Sequence, residues 1–208
     1  MDARTRSNPF GMDEDCRNCP ALCAERSTVV HGYGDVEADF LVVGERPDTA
    51  ADETGVPFAA DGELSALYRM LGRLGLCDLT GDPRRPRLEN VYCTNLTRCR
   101  HPERPPTETE VDACEPFLDA EIRMINPEVL IPVGQRALTR IAEAYGTVDP
   151  ESLDVDERHA DSIRGRGFEI VPMIDPETTT AERRDEWVHA FASLMAGDYR
   201  QTKGRRRR

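Results

Sequence analysis

With 208 residues, the chain is long enough for one well-buried domain and too short to expect two. Its net charge is −12, with 32% charged and 38% hydrophobic residues, a soluble globular balance. No apolar run approaches a membrane span, and no apolar stretch near the start reads as a secretory signal, so a cytoplasmic location is expected. Stable disulfides are uncommon in that compartment, and clustered cysteines there more often hold metal. The charge is uneven: the body is acidic, the end reads KGRRRR, and Lys203 is the only lysine. An acidic, lysine-poor body suits a salty cytosol, and a GC-rich genome would also favour arginine. The acidity argues only weakly against nucleic-acid binding, since a local basic groove is compatible with a negative average.

In chain order, residues 1–15 are polar and expected to form a flexible N-terminus. The stretch CRNCPALC at 16–23 then places three cysteines in eight positions. ADFLVVGERPD reads as a buried strand and the loop after it. Leu64, Leu67, Tyr68, Leu71 and Leu74 recur at helical spacing. ENVYCTNLTRC is a second strand, ending near Thr94. The next helix begins with a capping box, Thr107 and Glu110, and contains Pro116, which predicts a kink or a restarted helix. PEVLIPVGQRALTRIAEAYG supplies a third strand, a glycine turn and a helix. Residues 147–167 are polar and acidic and read as a surface loop or insertion. GFEIVPMIDP is a fourth strand, followed by the helical TAERRDEWVHAFASLMAG.

Strands alternating with helices predict an α/β protein, a three-layer α/β/α sandwich around a central, mainly parallel four-stranded sheet. Residues 16–199 form its single domain, and 200–208 a basic flexible tail. A site in such a sheet lies at the carboxyl ends of the strands. GERPDTAADETGVPF, TNLTRC, PVGQR and IDPETTT should therefore converge.

Cys16 and Cys19 form a C-x-x-C pair, and Cys99 and Cys114 lie far downstream. Four thiolates suit either zinc or a 4Fe–4S cluster, and spacing alone does not choose between them. Cys114 also shares an apolar helical face with Val111, Leu118 and Ile122, where a free cysteine is an ordinary core residue. Cys77 and Cys93 are assigned to the core on the same grounds, and Cys23 is either a fourth ligand or buried. The C-x-x-C-x-x-x-C order reverses the spacing of radical enzymes that cleave S-adenosylmethionine, which counts against that chemistry.

Taken together, CRNC, VVGERP, TGVPF, VYCTNLTRCRHPERPPTETEVDAC and LIPVG, in that order, resemble the family 4, iron–sulfur uracil-DNA glycosylases from Cys16 to about Pro176. The resemblance implies that Cys16, Cys19, Cys99 and Cys114 ligate a structural 4Fe–4S cluster, with zinc the lesser alternative, and that Cys23 packs. It implies hydrolysis of the N-glycosidic bond of a uracil, or a related deaminated base, flipped out of DNA. Phe58 would stack on the base and Asn95 would pair with its polar edge; their ordinary readings are a core aromatic and a turn residue. Glu45 would contact the base or stabilise charge, or else cap the following helix. Asp52 would position water, or else be solvated. Arg100, His101 and Arg104 would grip phosphates, or else belong to a proline-stiffened surface loop. The implied partner is damaged DNA and the implied state a monomer.

The chain departs from the family pattern at Arg46 and Asp48, where a small residue and a glycine are usual, and at Asp175, where the family has histidine. An ionised aspartate would repel the charge on departing uracil, so Asp175 would instead act as a base on water or stabilise a positive sugar, with Arg46 supplying positive charge to the base. Two other readings fit these residues: a non-catalytic 4Fe–4S nucleic-acid-binding protein that keeps the scaffold, and a zinc-stapled interaction domain.

Overall fold

The structure, a computed structural model, describes residues 5–199; the expected basic tail at 200–208 lies outside the described residues. Its order is β1 (Thr5–Ser7), α1 (Pro20–Glu25), β2 (Tyr33–Asp35), β3 (Phe40–Gly44), α2 (Thr49–Thr54), α3 (Ala66–Arg73), β4 (Val91–Asn95), α4 (Glu108–Ile125), β5 (Val129–Pro132), α5 (Gln135–Tyr145), β6 (Ile163–Arg164), β7 (Glu169–Ile170) and α6 (Ala181–Ala196). One sheet runs β1-β2-β4-β3-β5-β7-β6. The expected strands β3, β4, β5 and β7 are its parallel centre, with Gly44 opposite Asn95 at the carboxyl end of the β3–β4 pair.

The sheet has seven strands, not four. β1 and β2 extend it antiparallel on one side and β6 on the other. These additions are two or three residues long, too short to show a period-2 pattern. β1 lies inside the segment expected to be a flexible N-terminus.

Alternation along the central strands sorts the core onto two faces. Phe40 and Val42 pack with Tyr68 and Leu71 of α3 and with Trp187 and Phe191 of α6. Leu41 and Val43 pack with Leu118 and Ile122 of α4 and with Leu138 and Ile141 of α5. The three-layer architecture follows directly.

Two local expectations are corrected. α4 is one 18-residue helix through Pro116, with no restart, and its capping box is complete. Pro116 and Asp112, whose carbonyl loses its donor, are both exposed, so water can satisfy that group. The 147–167 stretch is partly core: Leu153, Val155, His159 and Ile163 are buried, around a 3-10 turn at Pro150–Ser152 and β6.

A buried ion pair joins the segment just after β4 to α4. Arg98 Nη2 donates to Glu121 Oε2 at 2.7 Å, and both side chains are 1% exposed. Glu121 also accepts from Gly32 N (3.0 Å), Tyr92 OH (3.3 Å) and Thr94 Oγ1 (2.7 Å). Arg98 Nη1 donates to Thr94 Oγ1 and to the Asn95 carbonyl. Removing one partner of a buried pair leaves the other charge uncompensated. Glu121→Ala is therefore expected to lose about 3–5 kcal/mol of stability, read from urea unfolding followed by circular dichroism.

Candidate functional site

β3 ends in Gly44 because that position has no room for a side chain. A Cβ there would lie 2.4 Å from Asn95 Oδ1 and 2.7 Å from Phe58 Cζ. The Asn95 amide and the Phe58 ring thus converge over the β3 terminus. Asn95 is 1% exposed, yet its Nδ2 has no hydrogen-bond partner, the kind of buried donor that calls for an explanation.

Phe58 has φ +58°, a left-handed conformation rarely taken by a bulky residue. α2 ends in the left-handed Gly55, and the chain then turns through Val56 and Pro57. The buried Tyr68 hydroxyl donates to the Pro57 carbonyl at 2.5 Å, anchoring the residue before Phe58. Strain of this kind persists only where the surroundings over-determine it.

The expected acids have different fates. Glu45, in the loop after β3, pairs with Arg136 Nη1 at 3.2 Å. It does not cap α2: Asp48 does, accepting from Ala51 N at 2.7 Å. Asp52 is not solvated. It is buried, and its oxygens accept from Ser27 N (2.8 Å) and Thr28 N (3.4 Å), tying α2 to the N-terminal segment. Asp175 is exposed at the start of a turn, where Oδ1 accepts from Glu177 N at 2.9 Å and its carbonyl accepts from Thr178 N and Thr179 N. None of these bonds reaches Phe58 or Asn95.

The cations divide similarly. Arg46 Nη1 donates to the carbonyls of His101 and Arg104. Arg104 forms a two-pronged pair with Glu110, at 2.7 and 2.8 Å. His101 Nδ1 accepts from Glu103 N at 3.2 Å. Arg100 makes no hydrogen bond or ion pair with a described residue, and its charge is felt at Asp48.

Cys16, Cys99 and Cys114 are buried and Cys19 is half-buried. Burial first, then the neighbouring Cys114, Glu110, Cys99 and Cys16, push the Cys19 thiol up to about 11, so the other three cysteines lie within electrostatic range of Cys19. Arg26 Nη1 donates to Cys99 Sγ at 3.1 Å, Arg26 Nη2 donates to the Cys16 carbonyl at 2.6 Å, and the Arg98 backbone N–H donates to Cys114. Among the described residues no three Cys, His, Asp or Glu side chains are gathered as a single-ion site. Cys23 Sγ donates to the Cys16 carbonyl at 3.5 Å, while Cys77 and Cys93 lie in the core.

Sequence reasoning missed Arg26, Arg98, Glu121 and Arg136, whose partners lie far along the chain and leave no local signal. It also missed His159, buried beside the β7 end. Its Nδ1 accepts from Ile174 N and its Nε2 donates to the Arg183 carbonyl, both at 2.9 Å, so neither nitrogen is free for chemistry.

An aromatic ring and an unpartnered amide thus meet at the carboxyl end of the parallel centre of the sheet in an α/β protein. Residues 31–194 match the Uracil DNA glycosylase superfamily, and the chain belongs to it. It is 31% identical over 173 residues to the Type-4 uracil-DNA glycosylase of Thermotoga maritima, covering 82% of this chain and 81% of that one. The Type-4 enzyme of Archaeoglobus fulgidus is 31% identical, with 74% of this chain and 68% of that one covered. The Type-5 uracil-DNA glycosylase of Thermus thermophilus is 36% identical over 61% of this chain and 65% of its own length. No helix among the described residues is long and apolar enough to cross a membrane.

The Arg104–Glu110 pair has a pH signature. Hydrogen bonding from Arg104 holds the Glu110 carboxyl down at about 2, against the opposing effect of burial. A depressed pKa means that ionisation stabilises the fold; this contribution is complete above the ordinary carboxylate value and lost as pH falls towards 2. The stability advantage of wild type over Glu110→Gln is therefore expected to be constant above about pH 5 and to shrink below it. Urea midpoints across pH 6 to 2.5 would read the difference.

Proposed function

We propose that this protein hydrolyses the N-glycosidic bond of uracil flipped out of DNA, as a Type-4-like DNA glycosylase. The observation that carries this is the convergence of Phe58 and the unpartnered Asn95 amide over Gly44. A carboxamide offers one acceptor and one donor side by side, matching the ring N–H and adjacent carbonyl of uracil. The Phe58 ring supplies a face on which a planar base stacks. An extruded base then gives Asn95 Nδ2 the acceptor it lacks within the protein.

Departing uracil carries negative charge, so a fixed donor at its edge counts for more in the transition state than in the ground state. Asn95 is held for this by the β3–β4 register and by Arg98 on its carbonyl. Glu45 is the acid beside Gly44, and its pairing with Arg136 limits the repulsion it would exert on the leaving base. Asp175, exposed and engaged in its own turn, is assigned a structural role. The substitutions at Arg46, Asp48 and Asp175 are read as divergence at the pocket rim.

The Type-4 assignment rests on the Thermotoga and Archaeoglobus relatives and on the cysteines. Cys16 and Cys19 from the N-terminal segment, with Cys99 and Cys114 from the β4–α4 region, would hold a 4Fe–4S cluster. Cys19 feels the charge of Cys16, Cys99 and Cys114, and cationic Arg26 donates to Cys99, a setting that would suit a group that binds thiolates. When bound, the cluster would cross-link the two segments and take no part in hydrolysis. Asp52, bonded to Ser27 and Thr28, ties the same N-terminal segment to α2.

Single-turnover cleavage of a uracil-containing single-stranded oligonucleotide, with abasic sites revealed by alkali, tests the reading. Asn95→Ala is expected to slow excision by roughly 100-fold, whereas Asp175→Asn stays within about twofold of wild type. Full activity in Asn95→Ala would remove the base-reading role. Separately, Cys114→Ser is expected to lower the iron and acid-labile sulfide that co-purify under low oxygen, and unchanged content would remove Cys114 from the ligand set.

A further inference from the structure

The loop at 100–106, RHPERPP, lacks three backbone donors because Pro102, Pro105 and Pro106 have no N–H. Its carbonyls are engaged by arginines. Arg46 Nη1 donates to those of His101 and Arg104, Arg104 Nη1 to that of Pro105 at 3.0 Å, and Arg136 Nη1 to that of Pro106. The other ends of two of these guanidinium groups are fixed as well, Arg104 on Glu110 and Arg136 on Glu45 and Glu108. Carbonyl oxygens repel a phosphate, and N–H groups and cations attract one. With four carbonyls occupied from within, the loop offers few acceptors that would repel a strand. Of its basic side chains, Arg104 is committed to Glu110, whereas Arg100 has no bonded partner among the described residues. Glu103 is the loop's exposed acid.

We infer that Arg46 is a positioning residue: by bonding two carbonyls of the 100–106 loop, it sets the arch from which Arg100 grips a DNA phosphate, without touching DNA itself. The inference rests on the DNA-glycosylase reading and adds to it a division of labour among arginines. The sequence reading makes Arg100, His101 and Arg104 phosphate contacts and Arg46 a source of positive charge for the base. In this inference Arg100 keeps the phosphate, and Arg46 and Arg104 support the loop.

A double-mutant cycle on the full chain tests this, with affinity for a uracil-free single-stranded oligonucleotide measured across a salt series. Arg100→Ala is expected to weaken binding several-fold and to reduce the slope of log affinity against log salt by about 0.7, the single-strand value for one lost phosphate contact. Arg46→Ala is expected to weaken binding too, and to speed amide hydrogen exchange at Arg100, His101, Glu103 and Arg104. In the Arg100→Ala background, Arg46→Ala should then cost less than twofold. Additive losses would overturn the inference, because they would make Arg46 an independent contact. Should Arg46→Ala fail to fold, Arg46→Lys keeps the charge but not the planar fork. It is expected to weaken binding part-way alone and not at all beside Arg100→Ala; full affinity in Arg46→Lys with unchanged exchange would overturn the inference. Wild type that excises uracil while the cycle is additive defeats this inference alone. Wild type that neither binds nor excises defeats the functional reading and this inference with it.

Discussion

The buried pair between Arg98 and Glu121 is the constraint on which the site depends. Desolvating two charges is costly, and their attraction offsets that only when the remaining donors and acceptors are also satisfied. Here the carboxylate accepts from a backbone N–H, two hydroxyls and the guanidinium, and the guanidinium reaches Thr94 and the Asn95 carbonyl, leaving its Nε without a partner among the described residues. The network therefore fixes the end of β4, the start of the loop beyond it, and the inner face of α4. Asn95 lies on one side of Arg98 in sequence and Cys99 on the other. One electrostatic anchor thus places both the proposed base-reading amide and a proposed cluster ligand.

Around that anchor, three local costs fall together where Phe58 meets Asn95. Most core groups are paired, and the capped helices follow standard end chemistry. Asn95 Nδ2 is buried without a partner, Phe58 adopts a left-handed backbone, and Gly44 leaves out a side chain to let them meet. Local costs of this kind often gather at functional sites, which agrees with the proposed base-binding role.

The chain carries much acid and little lysine, and its arginines near the site are largely occupied with internal work. Arg26 bonds Cys99, Arg98 bonds Glu121, Arg104 bonds Glu110, Arg136 bonds Glu45 and Glu108, and Arg46 bonds two loop carbonyls. A basic cluster read from sequence therefore overstates the charge available to DNA. DNA binding as proposed here would draw on a few well-placed cations more than on a broad positive field.

Much of the fold was written locally. The four central strands, the α4 capping box and the two-sided apolar alternation are short-range patterns, and the structure contains each of them. The pocket was legible only through ordered motifs, since nothing in the spacing of Phe58 and Asn95 announces that they meet. Edge strands of two or three residues, the core packing of 147–167 and the withdrawal of Asp52 into backbone hydrogen bonds were not legible. Sequence determined which residues carry charge, sulfur and apolar surface, and in what local rhythm. Only the tertiary structure decided which charges lose contact with water, because desolvation and pairing depend on neighbours such as Glu121, 23 residues from Arg98 in sequence and 2.7 Å from it in space.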